Sequence, residues 1–139
     1  MSGFTDIGEE YDAKNSREGT LTVGVYNQAT DALDDTKDLA DLTTEPVGSA
    51  YARQSDNFTA LKKGGNWGTD NDNKLTFDTT DSNQSVDSWF LVANFTSAEA
   101  GDGAATDHII AFGALQQTYD LGSVDQLELA AGAVCVTVD

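Results

Sequence analysis

Leu21-Thr22-Val23-Gly24-Val25-Tyr26 puts Leu21, Val23 and Val25 on one side of an extended chain, the period of a β-strand with one buried face. Leu75-Thr76-Phe77-Asp78-Thr79 alternates in the same way. Ala50 to Ala60 is compatible with a strand whose large residues are Tyr51 and Phe58. Val86 to Phe95 and His108 to Leu115 are apolar on both faces, which predicts two central strands, buried on both sides or covered on one by a loop or a neighbouring subunit. Leu127-Glu128-Leu129 and Val134 to Val138 predict a closing hairpin across Ala131-Gly132. Between these runs lie turn-forming clusters: Gly64-Gly65-Asn66, Gly68, Asp70 to Asn73, Gly101-Asp102-Gly103 and Gly122-Ser123. Short strands with this punctuation predict an all-β chain, a sandwich or barrel, as a single domain over residues 19–139. Residues 1–18 are polar and weakly patterned, and read as an N-terminal arm that orders on assembly. In residues 31–41, Leu33 and Leu39 are six apart and Asp38 follows Asp34 by four, which fits one or two helical turns or an acidic loop.

Charge changes the picture. Twenty-four acidic residues face seven basic ones, a net charge of −17 over 139 residues. The acids run from Asp6 to Asp139 straight through the strand-like segments, and the chain holds twelve aromatics and 39% hydrophobic residues. They therefore belong to the surface of a folded domain, not to a disordered acidic tail. Eighteen of them are Asp, only six are Glu, and Thr reaches sixteen. Short carboxylates with few long Lys stems predict a surface tuned to molar salt, where the Debye length falls to about 3 Å. The expected source is an extreme halophile or a virus of one; a secreted acidic protein of an ordinary organism is the alternative. Lys62-Lys63 is the only basic pair, so nucleic acid is not an expected partner. No apolar run reaches the roughly eighteen residues of a membrane span. The start of the chain lacks a basic and apolar leader pattern, so export through a signal peptide is not expected.

Candidate chemistry is sparse. Neither a Gly-x-Ser-x-Gly elbow, a phosphate-binding glycine loop nor a zinc-ligand cluster occurs, and the chain reads as non-enzymatic. His108 stands beside Ile109 and Ile110 at the start of an apolar run, as a structural histidine would. Cys135 reads as a small hydrophobe on a strand, in a negative field that raises a thiol pKa. Asp70-Asn71-Asp72-Asn73-Lys74 opens like a calcium loop, then departs from it, with Lys74 and Leu75 where a third ligand and a glycine belong. Asp70 and Asp72 are thus the candidate ligands for a Ca²⁺ or Mg²⁺ ion, with a plain solvated surface as the alternative. No other cofactor is expected. Trp67, in a Gly/Asn-rich loop, is the candidate anchor of a subunit interface, with Arg53, Tyr51 and Tyr26 as further contacts. Arg53 could grip a neighbour's carboxylate in bidentate fashion or neutralise an internal one.

The stretch Val25-Tyr26-Asn27-Gln28-Ala29-Thr30-Asp31-Ala32-Leu33, then Asp38-Leu39, Thr43-Thr44-Glu45-Pro46 and Tyr51-Ala52-Arg53-Gln54, resembles small virion structural proteins from the head and tail modules of tailed double-stranded DNA viruses. Trp67-Gly68, Leu75-Thr76-Phe77, Trp89-Phe90 and Leu127-Glu128-Leu129-Ala130-Ala131-Gly132 are similar to that group too, so the resemblance runs from about residue 19 onward. It implies a β-sandwich or jelly-roll subunit that oligomerises on the particle without enzymatic activity. With the salt-tuned surface, the implied source is a tailed virus of haloarchaea. The implied role is a capsid accessory protein, a turret or decoration subunit on the virion surface, assembled in the host cytoplasm. Its partners would be copies of itself in a cyclic pentamer or trimer, and the major capsid protein or other virion proteins. A tail or neck component, and a carbohydrate-binding β-sandwich module using Trp67, are the rival readings. The acidity departs from what relatives in ordinary bacterial phages would show, and salt adaptation accounts for it.

Overall fold

The β-branched and aromatic runs form strands, and Ile7, Glu10 and residues 12–14 near the start of the chain are helical. The computed structural model describes residues 18–137, together with Thr5, Ile7, Glu10 and residues 12–14. The expected arm over residues 1–18 therefore lies largely outside the described residues, as does Val138 of the last predicted strand. In chain order the strands are β1 (Gly19–Tyr26), β2 (Gln54–Lys63), β3 (Asn66–Asn71), β4 (Leu75–Asp78), β5 (Ser85–Phe95), β6 (Thr106–Asp120), β7 (Gln126–Leu129) and β8 (Cys135–Thr137). One helical turn, α1 (Gln28–Asp31), follows β1, and 3-10 turns occupy Leu39–Asp41 and Leu121–Ser123. The chain is all-β, as its periodicity predicts.

Its contacts gather into two compact units. One comprises residues 22–54 and 77–127; the other comprises residues 1–21, 55–76 and 128–139. In the first, β5 lies between β1 and β6, antiparallel to both. β5 has buried residues on both faces, which is why its sequence reads as a continuous apolar run. Two of its three aromatics each cover a glycine on the strand beside it. Phe90 lies opposite Gly24 of β1, and a Cβ built on Gly24 would come within 2.2 Å of the ring. Trp89 lies opposite Gly113 of β6, where a Cβ would meet the indole at 2.4 Å. Both strands thus surrender a side chain to let an aromatic lie flat on backbone. Tyr26, Leu33, Phe90 and Val92 form the buried cluster, with Leu39, Leu42 and Ile109 packed against it.

β6 corrects the sequence reading. It was expected to be a central strand, yet among the described strands it pairs only with β5 and is half exposed along its length. Its register against β5 breaks twice, between Val86 and Ser88 and between Leu91 and Val92. Bulges of this kind blunt an edge strand against indiscriminate pairing.

In the second unit β3 lies between β2 and β8, antiparallel to both. The hairpin predicted between β7 and β8 does not form: β7 pairs with β4, and β8 with β3. Asn71 supplies the reason. Its buried side chain donates to the Asn73 and Ala130 carbonyls at 2.7 and 3.1 Å and accepts from the Val134 N–H at 3.0 Å. The Gly132 N–H also donates to the Asn71 carbonyl, so the 130–134 turn is pinned to β3.

Candidate functional site

The Asp-rich loops explain part of the composition before any site is considered. Asp34 accepts from the backbone and hydroxyl of Thr36, and Asp78 does the same for Thr80. Asp31 gathers the N–H and hydroxyl groups of Thr43 and Thr44, and Asp81 those of Ser49 together with the Ala50 N–H. Hydrogen bonding holds the carboxyls of Asp34 and Asp78 below the ordinary range, and at Asp31 and Asp81 it outweighs the upward push of burial. Much of the Asp and Thr excess is therefore loop stapling, with short side chains reaching nearby backbone donors.

Three of the four residues expected at a subunit interface converge inside the first unit. Tyr26 is fully buried, edge-on to Phe90 with ring centroids 5.9 Å apart, so it is a core residue and no surface for a neighbour. Its hydroxyl donates to Gln28 Oε1 at 2.6 Å, and burial, then the nearby Asp87 charge, pushes its pKa up to about 12. Arg53 makes a bidentate contact with Glu45, Nε to Oε2 at 2.9 Å and Nη2 to Oε1 at 2.8 Å. Its guanidinium lies 5.3 Å from the centre of the Phe90 ring. The Tyr51 hydroxyl donates to the same Glu45 Oε2 at 2.8 Å, accepts from the Val25 N–H at 3.2 Å, and its ring stacks on Phe77. Arg53 thus neutralises an internal carboxylate, the second of the two roles open to it in the sequence, with Glu45 in place of an Asp.

Trp67 is placed on β3, not in a loop, opposite Lys62, and is half-buried with the Lys14 ammonium 5.9 Å from its ring centre. Asp70 and Asp72 take different partners, though the Asp72 charge is felt at Asp70. Asp70 faces Lys63 at 3.9 Å, with burial raising its carboxyl pKa, while Asp72 accepts from the Asn57 amide at 2.7 Å. Among the described residues no three His, Cys, Asp or Glu side chains are grouped to hold a metal ion. Cys135 is half-buried on β8, and burial raises its thiol pKa, so it is a poor nucleophile.

The densest polar cluster surrounds His108, which sequence reasoning left as an isolated structural residue. The ring is buried and spans two carboxylates: Nδ1 lies 2.5 Å from Asp38 Oδ2, and Nε2 lies 2.5 Å from Asp102 Oδ2. Asp38 opens the 3-10 turn at Leu39–Asp41 in a capping box with Asp41, and its Oδ1 accepts from the Leu39 and Ile109 N–H groups at 2.8 and 2.9 Å. Asp102 also accepts from the Ser97 N–H at 3.1 Å and the Thr106 hydroxyl at 3.0 Å. The Phe95 ring meets the imidazole edge-on at 5.2 Å. The hydrogen bond to Asp38, then that to Asp102, raises the His108 pKa. Burial pushes the Asp38 carboxyl up, but bonds from His108, Ile109 and Leu39 outweigh it and hold it low; the His108 bond, then the Ser97 N–H, lowers Asp102. A spacing of seventy residues separates Asp38 from His108, so no local motif could have announced the pair.

Beside this cluster a groove of about 410 Å³ runs along β6, lined by Leu33, Asp34, Asp35, Lys37 and residues 109–112. Phe112 is 39% exposed at one end, and Phe95, near the other, is 43% exposed. Apolar side chains thus line the edge of β6 beside the carboxylates of Asp34 and Asp35. No protein family, curated protein or solved structure matches the chain.

Proposed function

We propose that the chain is a non-enzymatic structural subunit of a virus particle, a capsid accessory protein of turret or decoration type from a tailed virus of haloarchaea. It assembles with copies of itself into a closed ring and attaches to the shell. The observation that carries this reading is the outer edge of β6, which no described strand other than β5 pairs with, together with its groove and the exposed Phe112, in a chain whose charge would otherwise keep copies apart. The register breaks along β6 favour one specific contact over open-ended sheet extension. The chemistry of the titratable groups supports the same reading: His108 has both ring nitrogens against carboxylates, and the Cys135 thiol is held protonated.

Light scattering in molar KCl tests the assembly. A trimer or pentamer is expected, and Phe112→Lys should reduce it to monomers with an unchanged circular dichroism spectrum. A wild type that stays monomeric in molar salt overturns self-assembly, and glycan binding lost in Trp67→Ala would favour the carbohydrate-binding module. Flanking genes encoding a major capsid protein, portal or terminase support the virion role; a metabolic neighbourhood speaks against it.

A further inference from the structure

His108 joins three pieces of chain: the 3-10 turn through Asp38, the β5–β6 connection through Asp102, and β6 itself. A ring can donate to two carboxylates only while it carries both N–H protons, because a neutral imidazole has one donor and one acceptor nitrogen. The surroundings decide which bond is lost on deprotonation. Asp38 is fixed from its other oxygen by two backbone N–H groups and by its capping box, so Nδ1–H keeps a rigid acceptor. Nε2 has an alternative partner, since the Thr106 hydroxyl lies 2.9 Å from it while donating to Asp102.

The connection is built to move as one piece. Its bonds Gly101 N–H to Ala98 O, Asp102 N–H to Ser97 O and Ala100 N–H to Ser97 Oγ are all internal. Among the described residues, the pocket beside the ring is lined by the charged groups Asp35, Asp38, Glu99 and Lys37, Asp102 bonds the ring directly, and the adjacent Asp107 lies in the field of Arg53. Remove the imidazolium charge, and Asp102 loses the cation it shares with Asp38 on the other side of the ring.

We propose that His108 is a pH-operated clasp: the doubly protonated ring ties segment 97–105 to β6 through Asp102, and release of the Nε2 proton to water passes that nitrogen to the Thr106 hydroxyl and frees the segment. The Asp38 side stays tied in both states. The device belongs to the folded monomer and holds whether or not the subunit assembles.

Backbone amide and imidazole NMR of the full chain in molar KCl, titrated from about pH 5 to about pH 9, tests it. The Ser97, Asp102 and Thr106 amides should shift with the midpoint of the His108 ring, while those of Leu39 and Ile109 hold. Asp102→Asn should lower the ring midpoint by about one unit or more and abolish the segment's response. His108→Gln should leave the segment in one state at every pH. Amides of 97–105 that stay unchanged through the ring's midpoint, or a response confined to Leu39 and Ile109, would overturn the proposal.

Discussion

Two charged clusters sit in the same unit and differ in one respect that decides their behaviour. Around Glu45, the cation is Arg53, whose pKa the Glu45 bond raises further, so the pair with Tyr51 is permanent at any ordinary pH. Around His108, two carboxylates raise the pKa of the ring, whose charge still depends on pH. The Glu45 bonds join residues six and eight apart, while His108 reaches seventy residues back to Asp38 and six back to Asp102. The first is therefore a fixed tie and the second a conditional one, and the identity of the base alone makes the difference.

Substitutions can break or sharpen this contrast. The largest effect is expected at the ring beneath the fixed tie: Phe90→Ala should cost about 3–5 kcal/mol in denaturant unfolding, since the side chain is fully buried and leaves a cavity over Gly24. Glu45→Gln should cost about 2 kcal/mol, because Arg53 loses its bidentate acceptor while remaining half-buried. That loss should be the same at pH 6 and pH 8, both well clear of the guanidinium's titration. A loss that varied between them would dissolve the distinction drawn here.

His108→Gln should cost less, and its cost should depend on pH. The folded-state pKa of His108 lies above its unfolded value, so the clasp's contribution is complete below about pH 6.5 and fades as pH rises through the raised value. Asp38 and Asp102 are shifted downward, so their share disappears only when acid passes below the ordinary carboxylate range. Wild type and variant should differ most in mildly acidic to neutral solution and converge in alkali. The smallest effect concerns salt: moving from low salt to molar KCl should raise both unfolding midpoints as repulsion among the carboxylates is screened, with the Glu45→Gln deficit nearly unchanged.

The fixed tie and the clasp were unequally legible in the sequence. The strands β1, β4, β5 and β7 follow from alternation or apolar runs that only strand burial satisfies. β3 was hidden because Asn66-Trp67-Gly68-Thr69-Asp70-Asn71 has low intrinsic strand preference; pairing on both sides with β2 and β8 overrides it. The same composition made Asp70 and Asp72 look like ion ligands; in the structure Asp70 lies opposite Thr59 with Lys63 3.9 Å away, and Asp72 accepts from the Asn57 amide. Arg53 and Tyr51 read in the sequence as subunit contacts; in the structure both bond Glu45, which, eight positions before Arg53, carried no signal of its own. His108 was legible as structural and illegible as a bridge, since both its partners come from loops that the periodicity leaves blank.

The two tryptophans fall one to each unit. Trp89 is pressed against the backbone at Gly113, and Trp67 lies near the Lys14 ammonium. Intrinsic fluorescence therefore comes from two dissimilar settings, a dry indole and one beside a cation. Chains keeping a single indole would let each unit's melting be watched separately by light emission, with no dye or label attached.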